Sequence, residues 1–208
     1  MVKQNKLAVF DLDNTLIDSK RKLTLDIVGA FERLGQYITP EQITGNWYKL
    51  AEEYGISKEK FDEAFDQRKT WEDSLKSGDV IIFPETYEVL ESLKGRDIRL
   101  ALLSKSIPKY TQQKLDHFGL TKYFEGIKTV HPREPSKKQG ALELIRELGP
   151  STIERASFIG DKEEDVTIAN DVYKKYSINS QGIYVNRDGG KLQAYTSVKS
   201  LEKTLDII

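Results

Sequence analysis

Two carboxylates one residue apart, Asp11 and Asp13, follow directly on the apolar run Leu7-Ala-Val-Phe10. Like charges held that close are costly unless a cation or a shared proton compensates them, so the pair is a candidate metal site or acid/base couple. A short aliphatic stretch that breaks into acids reads as a buried strand delivering side chains to the C-terminal edge of a sheet, where α/β sites form. If the strand continues through Asp13, both carboxylates point to one face. The plainer alternative is an acidic loop capping a helix through Asp13 or Thr15.

Ser104 closes a second apolar run, Ile98-Arg-Leu-Ala-Leu-Leu103. Asp161 follows a third, Ala156-Ser-Phe-Ile-Gly160, with Asp165 in the next turn. Parallel strands point one way, so the three ends meet on a single sheet edge. Gly160-Asp161 by itself would read as a helix N-cap. Lys138 begins the helix ahead of the third run and could reach the same edge, and its neighbour Lys137 could do so instead.

The elements that must position these groups are legible in the spacing. Between Lys22 and Lys76 the chain predicts helices with no strand. Thr24 caps one carrying Ile27, Phe31 and Leu34; Thr39-Pro40-Glu-Gln42 is a capping box ahead of Ile43, Trp47, Leu50 and Tyr54; Ser57 opens a third carrying Phe61, Phe65, Trp71 and Leu75. From Ile81 onward strands and helices alternate. Helices are expected from Pro84, over Pro108–Phe118 and over Lys138–Leu148, with strands over Ile98–Leu103, Ile127–Val130, Ala156–Ile159 and Gly182–Val185 and a terminal helix from Leu201. Alternation of this kind implies an α/β fold, a parallel sheet with helices on both faces. The expected division is a core of residues 1–18 and 79–208 interrupted by a helical insertion of residues 19–78. Trp47, Tyr48, Arg68, Lys69 and Trp71 could line a pocket in the insertion, although the spacing reads the indoles as packed and Arg68 and Lys69 as solvated.

Composition narrows the chemistry. The 208 residues hold no cysteine, which removes disulfides, thiolate ligands and cysteine nucleophiles together. His117 and His131 are the only imidazoles, and neither sits in a motif. A metal would therefore be held by oxygen, which favours Mg2+. Thirty-two basic and 33 acidic side chains nearly cancel and are scattered, so nucleic acid is disfavoured as a partner. No apolar segment approaches the ~20 residues that cross a bilayer, and no signal-peptide core follows the polar start. A cytoplasmic protein, monomer or homodimer, with no membrane attachment is expected.

In these motifs the chain resembles the haloacid dehalogenase superfamily. Its phosphatases carry Asp-x-Asp-x-Thr, a strand-end Ser or Thr, a Lys before a helix, and Gly-Asp-x-x-x-Asp, in that order. The match spans Leu7 to Asp165, and Asp11-Leu-Asp-Asn-Thr15 with the downstream Gly160-Asp161 and Asp165 carries most of its weight. The helical insertion resembles the α-helical cap of phosphoglycolate-phosphatase-like members. The resemblance implies a Rossmann-like core, bound Mg2+, an aspartyl-phosphate intermediate and a small phosphorylated metabolite as substrate. It implies Asp11 as nucleophile and Asp13 as general acid/base. Thr15, Ser104 and a lysine are implied for phosphate binding, and Asp11, Asp13, Asp161 and Asp165 for the metal. Three positions depart from the pattern. Ser104-Lys-Ser106 replaces the frequent Thr-Asn. Lys137-Lys138 lacks the following proline, and Lys138 is favoured because Lys-Gln-Gly-Ala-Leu142 matches the family's helix register, with Lys137 second. Asn170-Asp171 stands where relatives have a short Ala-Gly turn. Two alternatives are a phosphomutase on the same core and, from another class, a receiver-like phospho-accepting signalling protein; the position of Asp11 on the first strand speaks against the latter.

Overall fold

The computed structural model describes residues 5–43, 47–68, 70–132, 134, 136–187 and 192–208. Two compact units emerge, one of residues 1–18 and 82–208, the other of residues 19–81.

The first unit is built on strand β1 (Lys6–Phe10), whose Leu7, Val9 and Phe10 are fully buried. The two-residue strands β2 (Ile17–Asp18) and β3 (Ile81–Ile82) stand where the chain leaves and resumes this unit. Helix α5 (Thr86–Gly95) leads to β4 (Arg99–Ser104), α6 (Pro108–His117) to β5 (Gly126–Thr129), and α7 (Lys138–Glu147) to β6 (Arg155–Gly160). Helix α8 (Glu163–Tyr176), β7 (Asn179–Val185) and the short edge strand β8 (Thr196–Val198) complete the unit, and a 3-10 turn, Leu201–Asp206, stands where a terminal helix is expected. The six strands lie in the order β5-β4-β1-β6-β7-β8, and every pairing is parallel. The expected parallel α/β sheet with flanking helices is the observed one.

Both faces of β1 are dry, as a sheet covered by helices on both sides requires. Leu7 and Val9 face Ala141, Leu144 and Ile145 of α7 and Ile168, Ala169 and Val172 of α8, together with Leu103 and Phe158 of the neighbouring strands. Fully burying a side chain of this size contributes about 1.5–3 kcal/mol. Pairing of Phe10 with Leu102 on one side and Ile159 on the other sets the three strand ends level. That register is what puts the polar residues after each strand side by side.

The second unit packs helices α1 (Lys20–Arg33), α2 (Trp47–Glu53), α3 (Lys58–Asp66) and α4 (Trp71–Lys76). Ile27, Ala30, Phe31, Ile38, Ala51, Ile56, Phe61 and Ala64 form its core, with Phe31 and Phe61 edge to face at 5.4 Å. The capping box at Thr39 and Gln42 is present, but it closes a 3-10 turn, Pro40–Gln42, rather than opening a long helix. The single helix expected from Ser57 to Leu75 is two, because the Thr70 side chain accepts from the Asp73 amide and starts α4 afresh. Trp47 packs on the core as its spacing predicts. Arg68 is not simply solvated: its guanidinium lies 4.5 Å from the centre of the Phe65 ring. Lys69 falls outside the described residues.

Candidate active site

The strand does not run on through Asp13. β1 ends at Phe10, the Asp11 amide still donates to Ile159 O at 2.8 Å, and the chain then turns sharply. The Leu12 carbonyl accepts from the amides of Leu16 and Ile17 at 3.0 and 3.1 Å, and Asn14 adopts a left-handed φ of 64°. Asparagine tolerates that region better than most residues. The turn is braced from outside: the Thr86 hydroxyl donates to Leu16 O at 2.8 Å and Arg187 Nη2 to Thr15 O at 3.2 Å. Arg187 is itself fixed by Glu85 and by stacking on Phe83. The expectation that both carboxylates share a face is thereby corrected, since the turn sends them to different partners.

Asp11 is buried, and its Oδ1 accepts from the Lys137 ammonium while its Oδ2 takes the Thr15 hydroxyl at 3.4 Å. The same Lys137 ammonium donates to Asp165 Oδ1 at 2.5 Å. Asp165 is anchored in turn by the Lys162 amide, which donates to its Oδ2 at 3.0 Å. Asp161 joins these acids: Asp11, Asp161 and Asp165 each offer a carboxylate oxygen, all within 4.8 Å of one another. Gly160 makes the approach possible, because a Cβ at that position would overlap the Asp165 side chain.

Lys137, rather than the favoured Lys138, stands among these acids. Lys138 is largely exposed and pairs with Asp171 at 2.7 Å. The physical reason is register. α7 begins at Lys138, so its side chain already follows the helix surface, while Lys137 occupies the cap position and is 3% exposed. An ammonium at a helix N-terminus opposes the macrodipole, and two carboxylates offset that here. Ser104 is buried at the end of β4, beside β1, and Ser106 is buried two residues on.

Asp13 takes a separate partner. Its Oδ2 accepts from Lys114 Nζ at 2.5 Å, and its buried Oδ1 has no partner among the described residues. Lys114 escaped the sequence reading, yet a signal existed. Thr111, Lys114 and Leu115 recur at helical spacing on the buried face of α6, where a lysine is out of place unless it meets an acid. Glu164 was also missed: it accepts the Lys137 amide and pairs with Lys105 at 3.5 Å, fixing the start of α7.

Three carboxylates facing one ammonium cannot all be ionised cheaply. Burial, with Asp165 and Asp161 as near charges, pushes Asp11 up to about 7 despite Lys137. Burial and Asp165 likewise push Asp161 up to about 6. Burial alone would lower Lys137, but Asp11 and Asp165 hold it above the ordinary lysine value, so it stays charged. Asp161 Oδ1 is buried and has no partner among the described residues. An oxygen-only donor set with excess negative charge and an orphaned carboxylate oxygen fits a hard divalent cation.

The family model described as haloacid dehalogenase-like hydrolase matches residues 8–176. A phosphoglycolate phosphatase from Aquifex aeolicus is 30% identical over 173 residues, covering 77% of this chain and 78% of that one. A pyrophosphatase PpaX from Bacillus velezensis is 26% identical and covers 96% of this chain and 93% of its own. A solved HAD phosphatase from Thermococcus onnurineus superimposes with a TM-score of 0.68 over 97% of both chains at 23% identity, a likeness of fold. The chain belongs to the haloacid dehalogenase-like hydrolase family, as a phosphatase related to the phosphoglycolate phosphatases within it. Among the described residues no helix is long and apolar enough to cross a membrane.

Proposed function

We propose that the chain hydrolyses a small phosphate monoester in two displacements at Asp11, with Mg2+ as cofactor and the helical unit as cap. The observation that carries this reading is the Lys137 ammonium bridging Asp11 and Asp165 while Asp161 lies within reach of both. Asp11, Asp161 and Asp165 would hold the ion, joined by the backbone carbonyl of Asp13. When bound, Mg2+ offsets the negative charge shared by these carboxylates and the phosphoryl oxygens.

The Asp11 carboxylate attacks phosphorus, the bond to the ester oxygen breaks, and an acyl phosphate is left on Asp11. Asp13 protonates the departing oxygen. A water then attacks the same phosphorus, Asp13 takes its proton back, and the Asp11 carboxylate leaves, releasing inorganic phosphate. Asp13 Oδ1 is the oxygen available for that traffic, since Oδ2 is tied to Lys114. Lys137, Ser104 and Thr15 are assigned to the phosphoryl oxygens, where fixed donors lower the charge that builds during transfer.

The test is hydrolysis of phenyl phosphate by the purified chain with Mg2+, with EDTA, and in Asp11→Asn. Activity that needs the ion and vanishes in the variant supports the reading; equal activity in Asp11→Asn overturns it. Phosphoglycolate and pyrophosphate, the substrates that relatives' names carry, are the first physiological compounds to assay.

A further inference from the structure

The turn after β1 is held by parts of the chain that belong to no motif. Residues 83–86, which follow β3, and Arg187, two residues past β7, close on it, and all of them lie in the first unit. Inside the turn the Leu12 carbonyl takes the amides of Thr15, Leu16 and Ile17. The carbonyls of Thr15 and Leu16 are answered from elsewhere. Leu16 O accepts from the Phe83 amide at 3.1 Å and from the Thr86 hydroxyl at 2.8 Å, whereas Arg187 Nη2 is the donor to Thr15 O, at 3.2 Å. Thr15 is fully buried, so water cannot replace a lost donor there and an unpaired carbonyl would be costly.

Arg187 is built to stay where it is. Its guanidinium lies 3.4 Å from the centre of the Phe83 ring, and its Nη1 donates to Glu85 Oε1 at 2.5 Å. A planar fork laid on a ring face and paired at one tip keeps little freedom at the other. Glu85 is fixed in turn, with its side chain 10% exposed and its Oε1 also accepting the Leu201 amide at 3.5 Å. Burial works against ionising Glu85, but the Arg187 hydrogen bond and charge hold it below the ordinary glutamate value, so both partners are charged. With its charge answered by Glu85, Arg187 acts on the turn by geometry.

That turn carries Asp13 and the Thr15 hydroxyl, which donates to Asp11 Oδ2 at 3.4 Å. It also holds Asn14 at a left-handed φ of 64°, a conformation that persists where its surroundings over-determine it. We propose that Arg187, held by Glu85 and Phe83, is a positioning residue of the active site, fixing through the Thr15 carbonyl where Thr15 and Asp13 stand relative to Asp11. The proposal rests on the catalytic reading of Asp11 and Asp13 given above.

The test compares the parent with Arg187→Gln and with Arg187→Gln combined with Glu85→Gln, the second change removing the buried carboxylate that the first leaves unpaired. Amide hydrogen exchange at Leu16 and Ile17, read against Val9 and Phe10 of β1, reports the turn without turnover. Steady-state kinetics on phenyl phosphate with Mg2+ is run below the melting onset of each protein. Positioning predicts faster exchange at Leu16 and Ile17 with β1 unchanged, and kcat lower by about 10-fold to 100-fold with KM little changed, in both variants. Parent-like exchange at the turn, exchange quickened equally in β1, a parent-like kcat, or a kcat restored by Glu85→Gln overturns it. A parent that does not hydrolyse phenyl phosphate fails the catalytic reading instead, and the exchange comparison alone then decides whether Arg187 holds the turn.

Discussion

Lys114 and Asp13 meet in an ion pair of 2.5 Å across 101 positions of sequence, and the lysine is fully buried. The pair fixes the direction of the one acid in the first motif that leaves the carboxylate cluster. It also leaves Asp13 with a single uncommitted oxygen.

Asp13→Asn should lower kcat on phenyl phosphate by about 10²–10⁴-fold, the usual worth of a positioned acid/base. Lys114→Met keeps the volume of the side chain and removes the anchor. Its loss should be smaller, about 10-fold to 100-fold, in the range of groups that orient a reacting side chain. Steady-state kinetics on both variants checks the order, and a Lys114→Met enzyme as fast as the parent would deny the pair any part in the reaction.

The two adjacent lysines make opposite predictions. Lys137→Ala removes a buried ammonium from Asp11 and Asp165 and should cost about 10²–10³-fold in kcat, as loss of one oriented donor does. Lys138→Ala breaks an exposed pair worth about 0–1 kcal/mol and should leave rate and melting temperature nearly unchanged. A reversed order would reassign the functional lysine.

Gly160→Ala should be among the most damaging small changes in the sheet. The added methyl collides with Asp165, so either β6 or α8 must shift. Overpacking of this kind costs about 1–3 kcal/mol and here also displaces a proposed metal ligand. Denaturant melts and Mg2+ titration of the variant should both weaken; an unchanged Mg2+ affinity would argue that Asp165 is not a ligand.

The raised carboxylates give stability a definite pH slope. For Asp11 the folded value of about 7 lies above the ordinary 3.8, so ionising it costs more in the folded chain than in the unfolded one. That cost is absent below about pH 4 and complete above about pH 7, and Asp161, raised to about 6, adds to it over the lower part of the window. In EDTA, stability should therefore fall from pH 5 to 7.5 more steeply in the parent than in Asp11→Asn. Added Mg2+ should raise the melting temperature more at pH 7.5 than at pH 5. An equal rise at both would mean that the ion does not bind this cluster.

The sheet was readable because its strands are largely apolar runs that stop at polar residues; Leu7–Phe10 and Ala156–Ile159 fall within β1 and β6, and Ile98–Leu103 matches β4 to within one residue at each end. The direction of Asp13 was not, since it depends on a left-handed turn at Asn14 that periodicity does not encode. The choice between Lys137 and Lys138 turned on a single residue of helix onset, finer than any propensity resolves. β8 is three residues long and carries too little pattern to be seen. Lys114 betrays itself only by its place on the buried face of α6; which acid it meets lies in a different element, and that pairing has no local signature.

β1 is made first, yet its hydrogen-bonding neighbours begin only at Arg99 and Arg155. A chain still emerging from the ribosome therefore carries its leading aspartate without a sheet to hold it or an ammonium to face it. Distant pairing of this kind is slow to form and is completed late in synthesis. On the proposed mechanism, a fragment that stops short of Asp165 would lack one carboxylate of the cluster and should not turn over phosphate esters.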